Sequence, residues 1–180
     1  MLLGVIAAAC AAYVILLYNG LVRLRNMART AWADIDVQLK RRHDLIPTLV
    51  ATVQGHAGYE QGTLEAVVAQ RARAQGAAGR QAAGEAEAAL GGQVRQLLAI
   101  AEAYPDLKAG RSFLELQRAL TEIEDHIQNA RRYYNAVVRD LNTRLEQFPT
   151  NLAGKVFGFR PEEPFGLSDA AEGAVPEVRV

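Results

Sequence analysis

The sequence predicts an all-α protein in which an N-terminal transmembrane helix runs into an antiparallel bundle of three to four long amphipathic helices. Three observations carry this prediction. The first 22 residues contain no charged side chain. Apolar residues then recur at steps of three and four along most of the chain, which is the spacing of one helix face. The alternating pattern of a half-buried strand is nearly absent.

The uncharged segment, residues 1–22, has the length of a membrane span. About 20 apolar residues in a helix cross the ~30 Å of hydrocarbon in a bilayer, and residues 2–17 are apolar throughout apart from Gly4. A signal peptide is the alternative, but its usual basic opening is missing. The small residues at 7–10, which resemble a cleavage or lipidation site, have too little apolar length before them. We therefore expect a retained single-pass anchor.

Basic residues flank this span on its C-terminal side. Arg23, Arg25 and Arg29 follow it closely, and no charged side chain precedes it. The positive-inside tendency therefore places the soluble domain in the cytoplasm and the anchor in the inner membrane. Each of these arginines gains about 1 kcal/mol near an anionic leaflet, so the lipid bilayer is the first expected partner.

The first soluble helix is expected to continue directly from the anchor. No proline or glycine lies between Gly20 and Pro47, and Asp36 and Lys40 form an i,i+4 pair. Pro47 has no amide hydrogen, which predicts a kink, or a break and restart, near residues 45–46. One apolar stripe links the anchor to the soluble part: Leu17, Leu21, Leu24, Ala28, Ala31, Ile35 and Leu39.

The middle of the chain has the weakest pattern. Residues 76–92 are rich in Ala and Gly, which predicts a loose connection or a thinly packed helix. An amphipathic helix resumes at Val94, and Tyr104-Pro105 is expected to end it.

The longest apolar seam lies in the C-terminal half and runs for about ten turns to Pro149, a pattern typical of coiled coils. Ser112 and Glu115 at its start have the order of a capping box. Each buried Leu or Ile gains roughly 1.5 to 3 kcal/mol, so this helix must pack against the others. The seam comprises Phe113, Leu116, Leu120, Ile123, Ile127, Ala130, Tyr134, Val137 and Leu141, followed by Leu145 and Phe148 after a stutter.

Beyond the seam, three aromatic residues stand among glycines and prolines. Phe157, Phe159 and Phe165 predict an irregular segment clamped over the end of the bundle. Residues 167–180 are small or acidic without periodicity, and predict a flexible tail. The expected division is therefore an anchor at 1–22, a helical bundle at 23–166 and a tail at 167–180.

Composition argues against several functions. Lys plus Arg and Asp plus Glu number 20 each, so no basic surplus points to nucleic acid. Cys10 is the only cysteine, which rules out an intramolecular disulfide or a cysteine metal cluster. No phosphate-binding loop, dinucleotide fingerprint or nucleophile elbow occurs. We therefore expect neither a cofactor nor an enzyme.

The histidines offer only weak candidates for metal binding. His56 with Glu60, and Glu122 with His126, are i,i+4 pairs that could present two ligands each. Because Glu122 and His126 lie one position off the predicted buried face, we interpret them as solvated surface. His43, beside a basic run, is likewise interpreted as part of a surface cluster.

Two interpretations fit the segment from Trp32 to the basic run Lys40-Arg41-Arg42. In the structural one, Trp32 packs in the bundle and Asp36 pairs with Lys40. In the functional one, the basic run contacts an acidic lipid surface or an acidic partner, although Lys40 would stand about 27 Å beyond the span.

Over residues 15–166 the chain resembles the LemA family of bacterial membrane proteins. The strings that carry the resemblance are Tyr18-Asn19, Leu24-Arg25-Asn26, residues 31–42 with Trp32, Asp34, Asp36, Lys40, Arg41 and Arg42, residues 44–47 ending in Pro47, residues 131–135 with Tyr134 and Asn135, Phe148-Pro149-Thr150-Asn151, and Phe157-Gly158-Phe159. The resemblance implies an N-terminal anchor and a soluble four-helix bundle, and supplies no catalytic mechanism. Where a second Tyr-Asn pair is expected one heptad after the first, this chain has Leu141-Asn142.

The function that these observations favour is a membrane-anchored helical scaffold or interaction module that self-associates. Small residues in the span would allow close approach of two helices: Gly4, Ala7, Ala8, Ala11 and Ala12. The alternatives are an adaptor for another, unidentified membrane protein and a metal-dependent enzyme.

Overall fold

Four long helices and two short ones make up the fold, and the computed structural model describes residues 1–55 and 61–166. Within these ranges there is no strand, so the all-α prediction is confirmed. The predicted tail at 167–180 and the pair His56–Glu60 lie outside the described residues. The helices are α1 (Leu2–Gln54), α2 (Gln61–Gly76), α3 (Arg80–Ala101), α4 (Pro105–Lys108), α5 (Arg111–Glu146) and α6 (Thr150–Val156).

Helix α1 is continuous over 53 residues, as the uninterrupted apolar stripe predicts. Its side chains are exposed up to Leu16, whereas Leu21 is fully buried and begins the packed part of the helix. By length and composition, α1 is the helix in the described part of the chain that could cross a membrane. At 1.5 Å per residue it is about 80 Å long, enough for a span and a bundle in succession.

Of the two alternatives predicted at Pro47, a kink or a break and restart, the break does not occur. Helix α1 runs through Pro47 to Gln54, and the proline ring lies on the exposed side of the helix. Pro47 nevertheless leaves the carbonyl of His43, four residues earlier, without its helical donor. The Nε of Arg71 in α2 donates to that carbonyl at 2.8 Å, so a neighbouring helix replaces the missing hydrogen bond.

Helices α1 and α5 run antiparallel along each other. The rings of Trp32 and Tyr134 lie 5.7 Å apart. Ten residues further along α1 and ten residues earlier in α5, Arg42 and Glu124 are 2.7 Å apart. Helices α2 and α3 form a second antiparallel pair, joined by residues 77–79, and pack on α1. This arrangement gives the up-down-up-down order of a helical bundle.

Two hydrophobic clusters follow one another along the bundle axis. The cluster nearer the apolar end of α1 contains Ala28, Ala31, Ile35, Leu39, Ile123, Ile127, Tyr134, Val137, Val138 and Phe165. The distal cluster contains Ile46, Leu49, Val53, Leu64, Val67, Ala74, Leu90, Val94, Leu97, Ala101, Leu107, Phe113 and Leu120. Most of the predicted α5 seam is therefore buried within the chain.

Of the two alternatives for residues 76–92, the structure shows a helix after a three-residue connection: residues 77–79 join α2 to α3, which begins at Arg80 and buries Gly84 and Leu90. Two other local predictions are wrong. Ser112 forms no capping box, because Gly110 is the N-cap and Ser112 already lies in the first turn. Phe148 does not extend the seam: α5 ends before it, and its side chain is 80% exposed.

Candidate functional site

Four charged or titratable side chains meet inside the bundle, and we call Arg42, His43, Glu87 and Glu124 the buried charge cluster. Arg42 is 3% exposed and donates through Nη1 to Glu124 Oε2 at 2.7 Å, and through Nη2 to the backbone carbonyl of Glu87 at 3.0 Å. Nη2 also pairs with the Glu87 carboxylate. His43 Nε2 lies 2.8 Å from Glu87 Oε1. The cluster joins α1, α3 and α5.

A glycine opens the space that the Arg42 guanidinium occupies. Gly91 lies one turn after Glu87 on α3, and a Cβ at that position would stand 3.3 Å from Arg42 Nη1. The small residue at this position of α3 thus leaves room for the guanidinium between the helices.

The surroundings of Glu87 favour its carboxylate form. Burial by itself raises the pKa of this carboxyl group, but hydrogen bonding from His43 and the charge of Arg42 outweigh that effect. The net result is a pKa below the ordinary value of 4.5. The buried carboxylate and the buried guanidinium therefore compensate each other, and removal of Glu87 would leave Arg42 with only the partly exposed Glu124 as a counter-charge.

We expect Glu87 to make the stability of the bundle sensitive to acid. Because its pKa is lowered on folding, its stabilisation is complete above about pH 4.5 and is lost as pH falls through the folded-state pKa. Glu87→Gln should therefore unfold at a lower temperature than wild type at neutral pH, and the difference between the two unfolding temperatures should shrink in acid. Circular dichroism of thermal unfolding in detergent, from about pH 7 to pH 3, measures that difference. A difference in unfolding temperature that is constant with pH would contradict this role.

The sequence interpretation of this region was wrong for two residues. Arg42 and His43 are buried rather than part of a basic or surface cluster, so Arg42 is not available to an acidic partner. One signal could have revealed it: Arg42 stands three residues after Leu39 and four before Ile46, within the buried stripe. Lys40 and Arg41 are exposed, and Lys40 pairs with Asp36 at 2.6 Å, as predicted.

A second polar constellation binds the C-terminal strap, as we call residues 159–166, to α5. Asn135 donates to the carbonyl of Phe165 at 3.3 Å and accepts from its amide at 2.9 Å. Asn142, one heptad later, makes the same reciprocal pair with Glu162, at 2.9 Å and 3.0 Å. A tyrosine at position 141 is therefore not needed for this contact, which the neighbouring Asn142 makes.

Trp32 packs in the bundle, as predicted, within an aromatic pocket that holds the strap. The Phe165 ring is 5.4 Å from Trp32, and the Arg80 guanidinium lies 5.3 Å from the Trp32 ring centre. Arg80 also donates to the Tyr134 hydroxyl at 3.1 Å, and this hydroxyl donates to the carbonyl of Glu163 at 2.6 Å. Phe165 is 2% exposed, which confirms that it clamps an irregular segment onto the bundle.

The apolar end of the bundle gathers the residues that flank the span. Tyr18 makes edge-to-face contacts with Phe157 at 4.9 Å and with Phe159 at 5.8 Å. Arg25 lies over the Phe159 ring at 4.9 Å, whereas Arg23 is exposed.

The remaining predicted residues lie on the surface or at bends. Asn19 lines a shallow groove beside Tyr133. Arg29 and Asp34 are exposed, and Pro149 precedes α6. Glu122 and His126 are exposed and 3.7 Å apart, as expected for a surface pair. No group of three or more metal-ligating side chains converges among the residues that the structure describes.

These features define a class of protein: a helical bundle whose first helix continues into a single apolar segment long enough to cross a membrane. The chain belongs to the LemA family, whose family model matches residues 31–180. The resemblance in the sequence and the helical architecture are thereby confirmed.

Individual relatives are distant. The magnetosome protein MamQ of Magnetospirillum gryphiswaldense is 22% identical over 182 residues, covering 86% of this chain and 66% of the relative. Magnetosome protein MamQ 2 of Paramagnetospirillum magneticum is 24% identical, with the same coverage. Protein LemA of Metamycoplasma hominis is 25% identical over 134 residues, or 74% of this chain and 61% of that protein. The chain thus spans just under two thirds of the length of these curated relatives. Together with the apolar α1, they indicate a membrane-associated protein.

Proposed function

We propose that the protein is a single-pass, non-catalytic scaffold of the inner membrane, with its bundle in the cytoplasm. The observation that carries this proposal is the continuity of α1 from the exposed apolar segment to Gln54. A helix without a break transmits the position and tilt of the span to the whole bundle. The positive-inside tendency of Arg23, Arg25 and Arg29 supports the cytoplasmic side.

Self-association is proposed to occur through the span rather than through α5. Along Arg111–Glu146 the apolar seam is buried against the rest of the chain, so it offers no long stripe to a second copy. The small residues of the span are all exposed, and such residues let transmembrane helices approach closely: Gly4, Ala7, Ala8, Ala11 and Ala12.

Disulfide trapping in native membranes tests this association. With Cys10 replaced by alanine, we expect Ala11→Cys, in the centre of the small-residue face, to form disulfide-linked dimers on mild oxidation. Ala9→Cys is the matched control, because it has the same size and depth but points to nearly the opposite side of a helix with 3.6 residues per turn. Dimer yield on a non-reducing gel should be several-fold higher for Ala11→Cys.

Equal and low yields for both cysteines would remove the self-association proposal. Monomers recovered in gentle detergent with a stoichiometric unlike protein would instead favour an adaptor. The relatives carry two kinds of name, one of them referring to the magnetosome. A scaffold role, which needs only a helical bundle held at a membrane, is compatible with both kinds of name.

A further inference from the structure

An apolar surface is left exposed where α5 turns into α6, and we call Phe148, Leu152, Val156 and Phe157 the apolar rim. These side chains are 80%, 55%, 78% and 46% exposed. Leu152 and Val156 lie one turn apart on the outer face of α6. The inner face carries Gly154, where a Cβ would come within 2.7 Å of the Leu145 side chain. Helix α6 therefore packs closely on α5 and turns its apolar side outward, which is costly in water.

The apolar rim lies beside the span rather than at a distance from it. Phe157 contacts Tyr18 and lines a groove with Val14 and Ile15. Ile15 is eight residues before Arg23, or about 12 Å along the helix axis. If Arg23 reaches the headgroups, Phe157 stands level with the outer part of the hydrocarbon.

Charges around the apolar rim fit a lipid surface. Between residues 144 and 160, Arg144, Lys155 and Arg160 stand against one acidic residue, Glu146. Glu162 and Glu163 follow in the strap, where Glu162 pairs with Arg80. Long basic side chains can extend to anionic headgroups while their stems stay on apolar surface. An apolar helix face flanked by basic residues is the pattern of a segment lying in the interface plane.

We propose that the apolar rim is inserted into the interface of the same bilayer that α1 crosses, forming a second membrane contact that fixes the tilt of the bundle. This inference rests on the proposed membrane anchoring, but adds a binding surface to it. The occupant is lipid, because the apolar rim is continuous with residues of the span itself.

Depth-dependent fluorescence quenching tests the apolar rim in the full chain. With Cys10 replaced by alanine, the environment-sensitive dye NBD is attached to Leu152→Cys or Val156→Cys. The protein is placed in phosphatidylcholine–phosphatidylglycerol vesicles containing doxyl-labelled lipid. Ala9→Cys, in the span but facing away from the small-residue face, is the positive control, and Ser112→Cys, exposed about 50 Å from the end of α5, is the negative control.

We expect labels at 152 and 156 to be quenched strongly by doxyl groups near the headgroups, the label at 9 by doxyl groups deep in the acyl chains, and the label at 112 several-fold less by either. If the label at 9 is quenched but both rim labels are not, the rim proposal is overturned while the anchor stands. Blue-shifted but unquenched rim labels would also overturn it, because they would indicate a protein cover such as a second copy. A label at 9 that neither lipid quenches would instead overturn the anchor.

Discussion

Replacing Glu87 with alanine is expected to destabilise the bundle by about 3 to 5 kcal/mol, the usual cost of removing one partner from a buried ion pair. The carboxylate balances Arg42, which is 3% exposed, and contacts His43 at 2.8 Å. Its loss leaves the guanidinium with Glu124 alone, and the Glu124 side chain is 27% exposed. The effect is large because a charge without its full complement in a low-dielectric interior cannot be relieved by water.

The measurement is urea or thermal unfolding of the full chain in detergent, followed by circular dichroism. Glu85→Ala is the matched control: it lies two residues away on α3 with an exposed side chain and a 3.4 Å contact to Gln81. A surface contact of that kind is worth about 0–1 kcal/mol. Similar losses for the two variants would show that the buried charge cluster is not a source of stability.

A compensated variant separates the charge from the packing. Changing Arg42 to Met together with Glu87 to Leu removes the two most buried charges of the cluster while roughly conserving volume, and leaves Glu124, whose side chain is 27% exposed, in contact with water. Apolar replacement of a buried ion pair is often neutral or stabilising, so the double variant should recover much of the loss. If it is as unstable as Glu87→Ala, the cost comes from lost packing or from the remaining partners, not from an uncompensated charge.

The sequence was sufficient to predict the long helices α1 and α5 but not the buried charge cluster, and the reason is physical. Periodicity reports which face of a helix is buried. Leu39 belongs to the predicted stripe, and Ile46, seven residues later, continues it. A charge in that stripe is buried only if a counter-charge arrives from elsewhere in the fold. Glu87 is 45 residues from Arg42 in the chain, in a segment whose small residues concealed its helix.

Two other differences have local causes. The seam was predicted to reach Phe148, but α5 ends at Glu146, so Phe148 does not lie on a helix face. The strap has no periodicity, so its path depends on hydrogen bonds from α5. Asn135 and Asn142, seven residues apart, were the available signal, since both stand on one side of α5.

Gly84→Ala is expected to detach the C-terminal strap and to destabilise the protein by about 1 to 3 kcal/mol, the range for overpacking a close contact. A Cβ at Gly84 would lie 2.0 Å from the amide nitrogen of Gly166 and 2.4 Å from its Cα. Both are backbone atoms, and Gly166 has φ 78°, a conformation that favours glycine. We therefore expect the strap, rather than α3, to move, so that Phe165 leaves its pocket beside Trp32.

Gly92→Ala is the matched control, because it lies on the same helix with nothing within 4 Å of its Cβ position. Alanine in a helix interior gains about 1 kcal/mol over glycine, so Gly92→Ala should stabilise the protein. Gly84→Ala receives the same propensity gain, and can destabilise only if the clash outweighs it. If urea unfolding shows a lower free energy of unfolding for Gly84→Ala and a higher one for Gly92→Ala, the difference is due to the contact between Gly84 and the strap.

The fluorescence of Trp32 reports whether the strap is in place, because Trp32 is the only tryptophan and the Phe165 ring lies 5.4 Å from it. In folded Gly84→Ala at low urea, we expect a red-shifted emission and faster quenching by iodide, as water enters the space left by Phe165. Gly92→Ala should retain the wild-type spectrum. If Gly84→Ala is destabilised but its Trp32 emission is unchanged, helix α3 has shifted instead of the strap, and the clamp assigned to Asn135 and Asn142 is stronger than the packing of α3 itself.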